Sequence, residues 1–203
     1  MFVQVVQGRV KDRDGVRAQI ERWERELKPG AVGYLGSTAG LSDDGELIVV
    51  ARFESEHAAM RNSERPEQDA WWQETAQLLD PDVAFKNYNE VYLIQGGGSD
   101  HAGFVQVMQG TARDPDRMKA LDDQMSEWLQ KYRPDHLGAL VAWLRDGSFN
   151  HTVYFTSEGE ARAGERRMEA EIPEDVRMLL EEWRSLADDL RYTDLRQLWL
   201  SSP

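Results

Sequence analysis

FVQVVQG (residues 2–8) returns as FVQVMQG (residues 104–110), identical at six of seven positions. The landmarks downstream recur in the same order and at the same offset. Asp12 matches Asp114, Leu27 matches Leu129, the turn Asp44-Gly45 matches Asp146-Gly147, and Phe53-Glu54-Ser55-Glu56 matches Phe155-Thr156-Ser157-Glu158. The spacing is too long for a solenoid or propeller repeat, so each copy is expected to be a complete folding unit of about a hundred residues. The chain reads as a duplication followed by fusion.

Composition bounds the function classes. Each half of the 203 residues is large enough to bury a modest core. The absence of cysteine removes disulfides, thiolate metal sites and a cysteine nucleophile together, and makes the reducing cytoplasm the expected compartment. No apolar run approaches the ~20 residues of a membrane span. The net charge of −13 is spread evenly, with 11 basic and 18 acidic groups in residues 1–100 and 13 and 19 in residues 101–203. Such a surface repels phosphate backbones and anionic headgroups, so neither nucleic acid nor membrane is expected as a partner. Four scattered histidines offer no ligand spacing, and neither metal nor cofactor is expected.

Residues 2–10 read as a valine-rich strand. Val16, Ile20, Trp23 and Leu27 then mark one face of a helix that Pro29-Gly30 stops. In the second copy Asp114-Pro115 supplies an N-cap and a proline that has no N–H to waste, ahead of the stripe Met118, Leu121, Met125, Leu129. Strands over 31–39 and 46–54 form a hairpin closed by Asp43-Asp44-Gly45. Ser55 opens a short helix, Pro66 another that carries Trp71, Trp72, Thr75, Leu78 and Leu79, and a last strand spans 84–94. The second copy ends with a helix bearing Val176, Leu179, Leu180, Trp183 and Ala187, and a strand over 190–200. The order β-α-β-β-α-β is the split βαβ pattern of ferredoxin-like folds, an α+β class with four antiparallel strands and both helices on one face. The first domain is expected at 1–95 as the ligand-binding half, a flexible glycine-rich linker at 96–102, and a second domain at 103–203 with a degenerate site.

One-sided helices would leave the other sheet face polar at every second position, yet Leu47 through Phe53 and Val91 through Ile94 are apolar on both parities. A strand apolar on both parities is covered on both faces. The expected cover is the sheet of the other copy. Stacking would bury several hundred Å² per sheet, worth several kcal/mol at about 25 cal/mol per Å².

At this point the run RFESEHAAMRNSERPEQDAWW (52–72) resembles the antibiotic-biosynthesis-monooxygenase-like domains of the dimeric α/β-barrel superfamily, and both halves fit that group. Members pair two such domains from separate chains, so the resemblance implies an internal pseudo-dimer, with further assembly left open. It also implies a cavity between helices and sheet, where some members oxygenate aromatic polyketides without metal or flavin and others cleave haem. The haem-cleaving members use an asparagine in the first strand, a tryptophan, and a histidine late in the second helical segment. Here the first strand has Gln4 and Gln7, and Trp71-Trp72 stand without a histidine. The implied function is cofactor-independent oxygenation of a small aromatic or polyketide-like compound. The alternative is a non-catalytic small-molecule binder or oligomerising scaffold.

Asn62, Arg65, Trp71 and Trp72 form the richest cluster, with His57 about a turn before Asn62, and the second copy lacks most of it. A functional reading gives the indoles the walls around a planar ligand, Asn62 or an indole N–H a hydrogen bond to developing charge, and His57 the proton. A packing reading makes the tryptophans core and Asn62 with Ser63 a cap. Tyr34, Arg52 and Tyr88 are further candidates for the cavity wall. His151, on a strand face with Phe149, Val153 and Phe155, is either a base or a satisfied interior histidine. Gln4 and Gln7 have opposite parity, so only one of them can face a pocket.

Overall fold

Both copies enter their first long helix through an aspartate cap. Asp12 Oδ1 accepts from Gly15 N–H and Asp114 Oδ1 from Arg117 N–H, each at 3.0 Å. The computed structural model describes residues 1–202. The first copy runs β1 (Phe2–Arg9), α1 (Arg13–Arg22), β2 (Tyr34–Leu41), β3 (Glu46–Phe53), α2 (Glu56–Ser63), α3 (Pro66–Ala76), β4 (Ala84–Tyr88) and β5 (Glu90–Ile94). The second runs β6 (Phe104–Ala112), α4 (Pro115–Tyr132), β7 (His136–Trp143), β8 (Ser148–Phe155), α5 (Glu158–Glu171), α6 (Glu174–Leu186), β9 (Ala187–Leu195) and β10 (Gln197–Ser201). After α1, residues Trp23–Leu27 continue as a wider turn in which Lys28 N–H reaches back five residues to the Trp23 carbonyl. In the second copy α4 continues as regular helix through Tyr132.

The sheets are antiparallel, ordered β10-β2-β3-β1-β4 and β5-β7-β8-β6-β9. This corrects the expectation of four strands per sheet. The strands expected over 84–94 and 190–200 each break, at Asn89 and at Arg196, and the second piece of each pairs in the other copy's sheet. The domain boundaries move accordingly. One compact unit is Met1–Val91 with the segment from Gln197 onward, the other Tyr92–Arg196, so the glycine run at 96–102 lies inside the second unit and does not divide the two. The glycine run stays a loop, joining β5 to β6, and the boundary shifts because β5 pairs with β7 of the second copy.

In the first sheet β1 and β3 pair from Phe2↔Phe53 to Arg9↔Glu46. Val3, Val5, Ile48 and Val50 are each at most 1% exposed, while their neighbours Val6, Val49 and Ala51, on the face toward the helices, are half-buried. The hairpin turn has Gly45 at φ +85°, as Asp44-Gly45 suggested. The register of β2 on β3 slips between Tyr34 and Gly36, where one extra residue bulges. Gly36 takes φ +115° at this bulge, where a Cβ would lie 2.5 Å from the Ser201 carbonyl oxygen.

Candidate functional site

The helical face of the first sheet does not close against α1 and α3. Between them is a cavity of about 750 Å³, within the range of small-molecule sites. Its floor comes from odd-numbered β3 residues Leu47, Val49, Ala51 and Phe53, with Gln4 and Val6 of β1. The bulge in β2 brings Tyr34 opposite Phe53, so Tyr34 joins Ser37 and Ala39 on this face despite its opposite parity. The strand β10 adds Trp199 and Leu200. Opposite lie Val16 and Ile20 of α1, Asn62 and Ser63 of α2, and Trp71, Trp72 and Thr75 of α3.

The walls are aromatic and partly fixed by hydrogen bonds. Trp23 and Tyr34 lie 5.0 Å apart between ring centroids, Tyr34 and Phe53 5.8 Å, and Trp72 and Phe85 meet edge to face at 5.1 Å. Trp23 Nε1–H donates to Gln68 Oε1 and Trp71 Nε1–H to the Gln19 carbonyl, both at 2.8 Å. Tyr34 O–H donates to Ser37 Oγ at 2.7 Å, and burial holds this phenol above its ordinary pKa and keeps it neutral. Asn62 Oδ1 accepts from Arg65 Nη1 at 2.9 Å, which leaves its NH₂ as the donor for a ligand.

Of the residues singled out in the sequence, the cavity brings together Asn62, Trp71, Trp72 and Tyr34. His57 stays outside: it is exposed in the first turn of α2. Arg65 is also outside the lining and ties the helix end, donating to the Leu27 carbonyl at 3.1 Å. Arg52 and Tyr88 both sit opposite Val3 in the ladder, so they belong to the sheet's other face. Gln4 lines the cavity and bonds Asn87 at 3.0 Å, whereas Gln7 bonds Glu46 at 2.6 Å outside it. Trp23, Gln68, Phe85 and Trp199 complete the lining beyond the residues that the sequence pattern points to. The helical period of α1 assigns Trp23 to a core stripe, and Trp199 joins the site because β10 pairs with β2.

His151 lies in the second unit, at the place that Val49 holds in the first, 102 residues earlier. It is 3% exposed, among the rings of Trp143, Phe149 and Trp183 at 6.2, 5.1 and 5.5 Å. Its Nε2 stops 3.7 Å from Asp122 Oδ2. Asp122 itself accepts from Tyr92 O–H at 2.5 Å and Trp183 Nε1–H at 2.9 Å. Burial lowers the imidazole's pKa and raises the carboxyl's. The same offset turns Val16 into Met118, Ala39 into Val141 and Ala51 into Val153, all buried. At these three positions the second unit carries larger side chains inside its hydrophobic core.

Solved structures give the wider comparison. The chain aligns over 99% of its length with a protein provisionally described as a monooxygenase from Lactobacillus acidophilus NCFM, at TM-score 0.74 and 9% identity, covering 96% of that chain. A second so described, from Fusobacterium nucleatum, gives 0.75 and 10%, covering 94% of that chain. An anthrone oxidase-like protein gives 0.70 and 10% over 99% of this chain and 92% of that one. The chain shares the fold of these three proteins over nearly its whole length. No family model and no curated protein matches the sequence. Identities near a tenth carry the fold and leave the site to be argued from its own residues.

Proposed function

We propose that the first unit is a binding chamber for a planar, predominantly apolar organic molecule. The observation that carries this is the cavity of about 750 Å³ walled by Trp23, Trp71, Trp72 and Trp199, four of the chain's seven tryptophans. Half-buried indoles around a void are costly to leave against water, and a flat ligand covers them with good stacking geometry. The Asn62 NH₂ donates to one polar edge of such a ligand, and the Ser63 hydroxyl, which itself donates to the Ala59 carbonyl at 3.1 Å, accepts from it. Titration with 9-anthrone or a naphthol is expected to quench tryptophan fluorescence saturably, with the Trp72→Ala variant weakened at least tenfold. Quenching that never saturates, or that survives intact in the variant, would remove this reading.

Cofactor-independent oxygenation is the second reading, supported by the full-length likeness to proteins described as monooxygenases. In that chemistry an activated CH₂ of the substrate gives a proton to a base, and the carbanion passes electrons to dioxygen to form a hydroperoxide. Loss of water then leaves a carbonyl. With His57 outside the lining, the bases at the chamber are carboxylates, of which Asp69 and Glu21 stand at the mouth. Dioxygen uptake with anthrones that falls on Asp69→Asn would support it; no uptake across a panel of saturably bound substrates leaves the chamber as a binder.

A further inference from the structure

The chamber has a sign. Its twenty-four lining residues include Glu21, Glu24 and Asp69, and not one lysine, arginine or histidine. Arg22, Arg65 and Lys28, on the helical side, are committed to other partners, whereas Arg52 lies on the sheet's other face and its charge still reaches the Tyr34 phenol. Arg22 donates to Glu26 and Glu74, Arg65 to the Leu27 carbonyl and Asn62, and Lys28 reaches Glu24 at 3.3 Å together with Ser201 Oγ at 2.9 Å. Lys28 offsets Glu24 in part. Glu21 and Asp69 remain, Asp69 accepting only the neutral Gln73 amide at 2.8 Å. An adjoining depression of about 250 Å³ shares Gln4 and Ser63 with the chamber and adds Glu56 and Glu64, again with no cation.

We infer that the chamber selects aromatic or lipophilic cations, amines and quaternary ammonium compounds, over neutral molecules and excludes organic anions. Three physical effects act in the same direction. The mouth carboxylates and the net charge of −13 place the opening in a negative potential that concentrates cations and repels anions. Trp71, Trp72, Trp23 and Trp199 line the space, and the negative face of an indole attracts an ammonium group within about 6 Å. A carboxylate or phenolate entering the same space would lose its hydration with no positive partner to replace it, a heavy desolvation penalty. The same charge disfavours a carbanion held in the chamber, which places binding ahead of oxygenation among the functional readings. The inference rests on the chamber reading and not on oxygenation.

The test uses three probes of one shape and three charges, 2-naphthylmethylammonium, 2-naphthylmethanol and 2-naphthoate, titrated calorimetrically into the full chain at pH 7. The expected order is cation, neutral, anion, with at least a tenfold span between the extremes. That span should shrink severalfold in 1 M sodium chloride, where charges are screened within about 3 Å, and likewise in the double variant Glu21→Gln/Asp69→Asn, with folding checked by circular dichroism. Equal or tighter binding of naphthoate overturns the inference while leaving the chamber standing. A cation preference unchanged in the double variant overturns the role given to the mouth carboxylates. Failure of all three probes, the neutral one included, takes down the chamber itself and the inference with it.

Discussion

At the scale of single residues, an imidazole outside the chamber controls a testable property. His136 is buried beside the Arg133 guanidinium, with Nδ1 3.0 Å from Gln95 Oε1, and burial first, then that positive neighbour, push its pKa down to about 4. Unfolded, it titrates at about 6.5. Above that value the ring is neutral in both states and contributes no pH dependence. As the pH falls from 6.5 toward about 4 the unfolded chain gains a proton that the folded chain refuses, so stability is lost, by up to about 1.4 kcal/mol per pH unit. Urea denaturation at pH 7, 6 and 5 is expected to show a shallower decline in His136→Phe than in the parent; parallel declines would refute the assignment. His151 works in the same direction below 6.5 because burial keeps it neutral, whereas the raised pKa of Asp122 opposes it by favouring the protonated, folded form as the pH falls. The void makes a second residue-scale prediction. Val49→Trp adds volume to open space instead of a packed core, so the melting temperature should stay within a few degrees while naphthyl-probe affinity drops at least tenfold. A large loss of stability would mean that the space near Val49 is not free.

At the scale of elements, the caps and breakers were legible and the strand ends were not. Asp114-Pro115, Ser55, Pro66 and Asp44-Gly45 act locally, through side-chain oxygens, a missing N–H and a positive φ, so their roles follow from a few adjacent residues. Asp114→Ala is expected to cost about 1 kcal/mol in urea denaturation. The breaks at Asn89 and Arg196 carry a weaker signature, two consecutive polar residues each (Asn89-Glu90 and Arg196-Gln197), and the apolar residues of both parities that follow, Val91–Ile94 and Leu198–Leu200, do not say which sheet they join. Which partner a strand segment finds depends on residues far along the chain, and period-two patterning does not contain that information. The strand β10 therefore supplies an element-scale test. A chain ending at Arg196 loses Trp199 and Leu200 from the chamber and leaves β2 as an unpaired edge. It is expected to lose saturable probe binding, and Trp199→Ala, which keeps the strand, should weaken binding at least fivefold. Undiminished affinity in both would take β10 out of the site.

At the scale of the whole molecule, each sheet takes an edge strand from the other copy, β10 in the first and β5 in the second. Cleavage within Gly96–Gly98 leaves one fragment without β10 and the other without β5, so each sheet would expose an apolar edge. The fragments are expected to aggregate or stay poorly structured alone and to regain secondary structure when mixed. Two independently folded, non-associating fragments would contradict the strand exchange. Duplication also let the copies diverge under one architecture, since Val49 and Ala51 border open space while His151 and Val153 at the matching places are buried.

From the amino-acid sequence alone came the repeat, the α+β class, the element order, the uniformly acidic surface and the candidacy of Asn62, Tyr34, Trp71 and Trp72, because these rest on local periodicity, local chemistry and counting. The tertiary structure alone decided that Tyr34 faces the chamber while Arg52 and Tyr88 turn away, that His57 stays outside, and that Trp23 and Trp199 complete the wall. A single bulge at Gly36 and a strand recruited from more than a hundred and fifty residues away set those facings. The physical reason is that a side chain's surroundings are fixed by which backbones pair and in what register, a global minimum over distant contacts that no local stretch of sequence encodes.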